Sequence, residues 1–158
     1  MGRDERRLGG AGGPLGWGLA PAVEGFYAIQ HFEHGLMHWG RQERIGEPDY
    51  EIHIILYGPG DNWQVGQEWY RYTDYWQEGD EEYPCPQASP PWGPRRGFGK
   101  VWCECEYCRE HLGAPVEEEW GEQGGYQNFQ GGVMLWVPRD SGIYVLLSQG
   151  DWRFEPVE

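Results

Sequence analysis

The chain has 158 residues, enough for one ordinary domain or two small repeats sharing a core. Ten Trp, 26 Gly and 12 Pro exclude an average helical enzyme and favour short strands joined by many turns, and the wealth of aromatics argues for a packed core over disorder. A formal net charge of −14 excludes nucleic acid and anionic membrane surfaces as partners, since both require a basic face.

In chain order, residues 1–14 are Gly-rich and charged and read as a flexible N-terminal segment. Met1 to Leu19 contains basic residues but no apolar h-region, so no secretory signal is visible and the compartment reads as cytoplasmic on this ground alone. No apolar run approaches the roughly 18 to 20 residues that span a bilayer, so membrane insertion is not expected. Residues 15–73 form a first β module. Phe26 to Phe32 alternates at a strand period, His34-Gly35 turns, Leu36 to Trp39 returns, and Ile52 to Tyr57 is the strongest strand. Gly58-Pro59-Gly60-Asp61 is a turn and Trp63 to Val65 a last short strand. Residues 74–96 are acidic, then Pro-rich, and read as a connector without regular structure. Residues 97–112 predict one linking helix, with Gly113 as its natural stop. Residues 113–158 form a second β module with strands at 126–129, 133–136 and 143–147 and a final one at Trp152-Arg153-Phe154. The fold class expected is mainly β: two homologous small antiparallel modules joined by a Pro-rich connector and one short helix.

The two modules repeat one another. Leu15/Leu112, Gly16/Gly113, Gln30/Gln127, Phe32/Phe129, Gly35/Gly132, Met37/Met134 and Trp39/Trp136 match at a constant offset of 97 residues. Further on, Leu56 aligns with Leu146, Gly60 with Gly150 and Trp63 with Trp152, which places a seven-residue insertion in the first copy. A repeat made of Phe, Gly, Met and Trp, with no matched catalytic polar residue, indicates scaffold and biases the reading away from an enzyme. The repeated Trp39, Trp63, Trp136 and Trp152 are expected in the core.

The element Leu-Gly … Gln-x-Phe-x-x-Gly-x-Met-x-Trp, followed by Ile143-Tyr144-Val145-Leu146 … Gly150-Asp151-Trp152, resembles modules of secreted and envelope proteins of Chloroflexi-type bacteria. It is more distantly similar to the LGFP repeats of actinobacterial envelope proteins. Gly97 to Trp102 with Arg109 to Gly113 is similar to the inter-repeat helix of the Chloroflexi modules. The resemblance covers roughly residues 12–158 and implies an extracellular or cell-envelope, non-catalytic module that touches cell-wall polysaccharide. The four cysteines depart from that pattern.

Residues without a counterpart in the other copy carry the candidate chemistry. Cys85, Cys103, Cys105 and Cys108 read as disulfides, structural zinc or free thiols, and Cys85 closes a loop of about 20 residues if joined to the helix start. Apart from that zinc, no cofactor is expected. His31, Glu33, His34 and His38 offer a metal set, but the second copy has Asn128, Gln130, Gly131 and Leu135 there, so the scaffold does not need them. The carboxylate runs 78–82 and 117–119 lack calcium-loop spacing and read as solvated loop. Trp69, Tyr70, Tyr72, Tyr75 and Trp76 form an unrepeated aromatic group suited to stacking on sugar or docking a protein. The chain lacks a Gly-x-Ser-x-Gly elbow and a phosphate loop with its Lys. The function expected is a non-catalytic envelope binding module for cell-wall glycan or a surface protein. The alternative is a self-assembling homo-oligomeric subunit of a surface layer or filament.

Overall fold

The computed structural model describes residues 22–44 and 47–157; segment 1–14 and the repeated Leu15-Gly16 lie outside the described residues. Among the described residues the protein is mainly β, as the sequence predicts, with nine strands and two short helices. The strands are β1 (Val23–Phe32), β2 (Gly35–Arg44), β3 (Glu47–Leu56), β4 (Val65–Gly66), β5 (Glu68–Thr73), β6 (Trp120–Phe129), β7 (Gly132–Val137), β8 (Gly142–Leu147) and β9 (Trp152–Pro156). The helices are α1 (Arg96–Glu104) and α2 (Glu106–Leu112). No helix among them is long and apolar enough to cross a membrane.

The chain divides into two compact units that do not follow the repeat boundaries. One, the cysteine unit, contains Ala28–Leu56 and Tyr70–Glu122; the other, the C-terminal unit, takes Tyr57–Trp69 and the chain from Gln123.

In the cysteine unit β2 pairs with β3 antiparallel, placing Met37 opposite Ile54, Trp39 opposite Ile52 and Gly35 opposite Leu56. Strand alternation puts these on one face, where Met37, Ile52, Ile54 and Leu56 pack with Phe98, Val101, Trp102, Cys108 and Leu112 of the helices. The helical positions recur every three or four residues, the period that turns one stripe of a helix to a core. The sequence predicts a single helix here, but the backbone is extended at Cys105 (φ −104°, ψ 95°) and divides it in two. Cys105 closes α1 through its N–H to Val101 O at 2.8 Å and opens α2 by accepting the Cys108 N–H on Sγ at 3.1 Å. Gly113 ends α2 at φ +74°, as expected of a C-terminal glycine.

In the C-terminal unit the strand order is β4-β9-β8-β7-β6. Phe129, Met134, Ile143, Val145 and Leu147 form its core, with Trp136 packed against them. Trp152 is buried at 1% exposure, but Trp63 is 52% exposed and not core as expected. The cause is the path of residues 57–66: β4 adds as a short edge strand to β9, and the Trp63 ring leans on Phe154 at 5.7 Å from the rim.

Two strands that the sequence aligns at an offset of 97 are alike in the structure. β1 and β6 are both ten residues long, begin 97 positions apart and share one burial pattern residue by residue. Pairing corrects the alignment beyond Trp39. Gly35 faces Leu56 and Gly132 faces Leu147, so Leu56 corresponds to Leu147 and not to Leu146. The Trp39–Leu56 interval is therefore 17 residues against 11 for Trp136–Leu147, an insertion of six. It lies in the hairpin: β2 and β3 have ten residues each, β7 and β8 only six.

The repeated glycine has a common cause in both copies. A Cβ on Gly35 would strike Ile55 O, and one on Gly132 would strike Leu146 O, so each strand passes too close to its partner for a side chain. Gly132 also holds φ at +152°. Gly35→Ala and Gly132→Ala should each lower unfolding free energy in urea by about 2–4 kcal/mol, while Gly25→Ala, whose Cβ meets nothing within 4 Å, changes it by less than about 0.5 kcal/mol.

Candidate functional site

The long β2–β3 hairpin is where the first copy departs from the second, and an aromatic and polar cluster is built on it. Trp39 and Tyr50 lie diagonally across the paired strands and stack at 5.1 Å between ring centroids, 9° from parallel. Tyr50 is on the inserted side of Glu51, whose counterpart opposite the end of β7 is Gly142; the preceding residue in the second copy is Ser141, which has no ring.

Asp74 ties this hairpin to the connector. Its Oδ2 accepts from Trp39 Nε1–H at 2.8 Å and its Oδ1 from the Trp76 backbone N–H at 3.0 Å. Its own N–H donates to Tyr50 O at 2.8 Å. Gly97 of α1 permits the approach, because a Cβ there would stand 2.6 Å from Asp74 Oδ1. Trp76 is locked at its other end, its Nε1–H donating to Glu81 O at 2.9 Å, with the Arg96 guanidinium 6.0 Å from its ring centroid. Arg96 holds a left-handed φ of +53°, an unfavourable conformation for a long side chain, fixed by its N–H to Glu82 O at 2.7 Å. Between the two anchored residues Tyr75 stands 71% exposed, and Tyr50 is 46% exposed.

Glu119, just before β6, completes the cluster. Burial pushes its carboxyl above the ordinary 4.5, the positive fields of Arg95 and Arg96 oppose that rise, and the Asp74 charge adds to it. Two carboxylates, two guanidinium groups and four rings thus belong to one neighbourhood.

The remaining members of the predicted aromatic group are placed elsewhere. Tyr70 and Tyr72 share the helix-facing side of β5: Tyr70 meets the Tyr107 ring edge-on at 5.9 Å, and the Tyr72 hydroxyl lies 3.5 and 3.4 Å from Cys105 and Cys108 Sγ. Trp69 belongs to the C-terminal unit, its Nε1–H bonded to Leu147 O at 2.7 Å. The 68–73 segment, read in the sequence as unrepeated aromatics alone, is a strand; its alternation of Trp69 and Arg71 with Tyr70 and Tyr72 is the signal that separates the two faces.

Cys85–Cys103 and Cys105–Cys108 are disulfides. All four sulfurs are oxidised, so the alternative of structural zinc is corrected: zinc requires thiolate. The histidine group does not assemble into a metal set either. His31 Nδ1 is 2.8 Å from Glu117 Oε2, Glu33 Oε1 accepts the Ala114 N–H, and the exposed His34 gives its backbone N–H to Leu112 O. His38 is buried opposite His53 on the face of β2 and β3 away from the helices, where Arg71 Nε reaches Glu51 Oε2 at 3.0 Å. Among the described residues no group of three or more His, Cys, Asp or Glu could hold a metal. Glu117 and Glu119, read as solvated loop, are bonded or half-buried.

Comparison with protein-family models, with curated proteins and with solved structures finds no match to the chain, so the functional reading rests on these residues.

Because Glu119 binds its proton more tightly in the folded protein than in the unfolded chain, its titration favours folding as pH falls from neutrality through the raised value towards 4.5, and the gain levels off below that. Glu119→Gln removes the penalty of ionisation. It should raise the urea midpoint relative to wild type at pH 7, with the difference shrinking as pH falls towards about 4; a pH-independent difference would contradict the assignment.

Proposed function

We propose that the protein is a non-catalytic, extracellular or cell-envelope module that binds cell-wall polysaccharide at the Trp39–Tyr50–Asp74–Trp76 cluster. The observation that carries this reading is the pairing of exposed ring surface with fixed charge. Tyr75 and Tyr50 are exposed, Asp74 is hydrogen-bonded to the Tyr50 carbonyl and the Trp76 amide, and Arg96 lies 6.0 Å from the Trp76 ring centroid. A sugar ring has a C–H face that stacks on an aromatic and a rim of hydroxyls that pair with carboxylate and guanidinium, so it uses both kinds of group at once.

Preorganisation supports the same reading. Asp74 fixes the positions of both tryptophans before any ligand arrives, which lowers the entropy cost of binding. The net charge of −14 disfavours a strongly anionic polymer and points to a neutral glycan. Two disulfides in 158 residues suit an oxidising compartment and are in keeping with an envelope location.

Affinity electrophoresis through gels containing bacterial cell-wall polysaccharide tests the assignment. Wild type should be retarded, and Tyr75→Ala and Trp76→Ala should each weaken binding by about tenfold, or ~1.4 kcal/mol. Trp63→Ala, which removes a comparably exposed ring of the C-terminal unit, should leave retardation unchanged. Equal retardation of all four proteins, or none of wild type, would overturn the reading.

A further inference from the structure

The two disulfides differ in what they can do. Cys85–Cys103 spans 18 positions and pins the Pro-rich connector to α1, so it restricts a long stretch of the unfolded chain. Cys105–Cys108 spans three positions, from the residue that caps α2 to its first turn. A loop that short restricts very little of the chain, so mechanical stapling does not account for it.

Its surroundings are those of a reactive pair. Cys105 is half-buried, whereas Cys108 is 1% exposed. The two residues between them, Glu106 and Tyr107, are exposed. Cys105 Sγ already accepts the Cys108 N–H at 3.1 Å, and the Tyr72 hydroxyl is placed to donate to either sulfur. Donors aimed at sulfur favour the thiolate over the thiol, and the thiolate is both the attacking and the leaving form in disulfide exchange.

We propose that Cys105–Cys108 is a redox-active disulfide that oxidises a dithiol on a partner protein, with Cys105 as the sulfur attacked. A partner thiolate attacks Cys105 Sγ; the Cys105–Cys108 bond breaks as the mixed disulfide forms, and Cys108 leaves as a thiolate next to the Tyr72 hydroxyl. The partner's second thiolate then attacks its own sulfur in the mixed disulfide and expels the Cys105 thiolate. The partner ends as a disulfide and this protein as a dithiol, with two electrons and two protons transferred. Cys85–Cys103 takes no part. This activity is independent of glycan binding, since none of its groups belongs to the Asp74 cluster.

The test uses the wild-type chain equilibrated in reduced and oxidised glutathione, quenched by alkylation and mapped by peptide mass. Cys105 and Cys108 should become alkylated at a [GSH]²/[GSSG] value at least about tenfold below that required for Cys85 and Cys103, with near-UV circular dichroism retained. Opening of both disulfides together, or of Cys85–Cys103 first, would overturn the proposal. A second measurement compares single-cysteine trapping by oxidised glutathione. Cys105 in Cys108→Ser should form the mixed disulfide at least about tenfold faster than Cys108 in Cys105→Ser; equal rates would also overturn it. The wild-type titration decides without either variant.

Discussion

The carboxylate of Asp74 is the interaction on which the proposed site depends. It receives the Trp39 indole N–H from β2 and the Trp76 amide from the connector, while its own amide reaches Tyr50 at the start of the lengthened part of β3. α1 approaches through Gly97, which has no Cβ to block it. One residue thus joins a hairpin, a connector and a helix. It can do so because Cys85–Cys103 holds the connector against α1. A charged acceptor shared by two N–H groups is worth more than a neutral one, and removing it would leave two partly buried donors without that partner.

The positions that match at an offset of 97 residues differ in kind from those that do not. Phe32, Gly35, Met37 and Trp39 have counterparts, and the burial of β1 is reproduced position by position in β6. The additions are concentrated in the cysteine unit. There the hairpin is longer by six residues, the connector carries Asp74 to Trp76 and Cys85, and the helical segment carries the other three cysteines. At the positions of Leu135 and Tyr144 in the second copy, the first places His38 and His53, on the same strand face as the buried Glu51.

Much of the fold was legible because strand alternation and turn residues act locally. The β class, the glycine turns, the Gly113 stop and the repeated core positions all follow from neighbours in sequence. The break at Cys105 was hidden because it depends on a sulfur accepting a backbone N–H, an arrangement no helical period records. The path of residues 57–69 into the C-terminal unit was hidden for a related reason: a two-residue edge strand is fixed by its partner, β9, and not by its own pattern. Of the site, Tyr75 and Trp76 were visible as unrepeated aromatics. Asp74, Arg96 and Glu119 were not, since each is an ordinary charged residue until the fold brings it to a ring or to another charge.

The central claim is that the Asp74-bonded tryptophans form the glycan platform. Indole N–H resonances of the 15N-labelled protein, followed during titration with soluble cell-wall polysaccharide, test it most directly. The account predicts that the Trp39 and Trp76 indole signals shift together and saturate, while those of the core residues Trp102 and Trp152 stay in place. Signals of Trp39 and Trp76 that remain fixed while other indoles move, or no movement at any concentration reached, would contradict it.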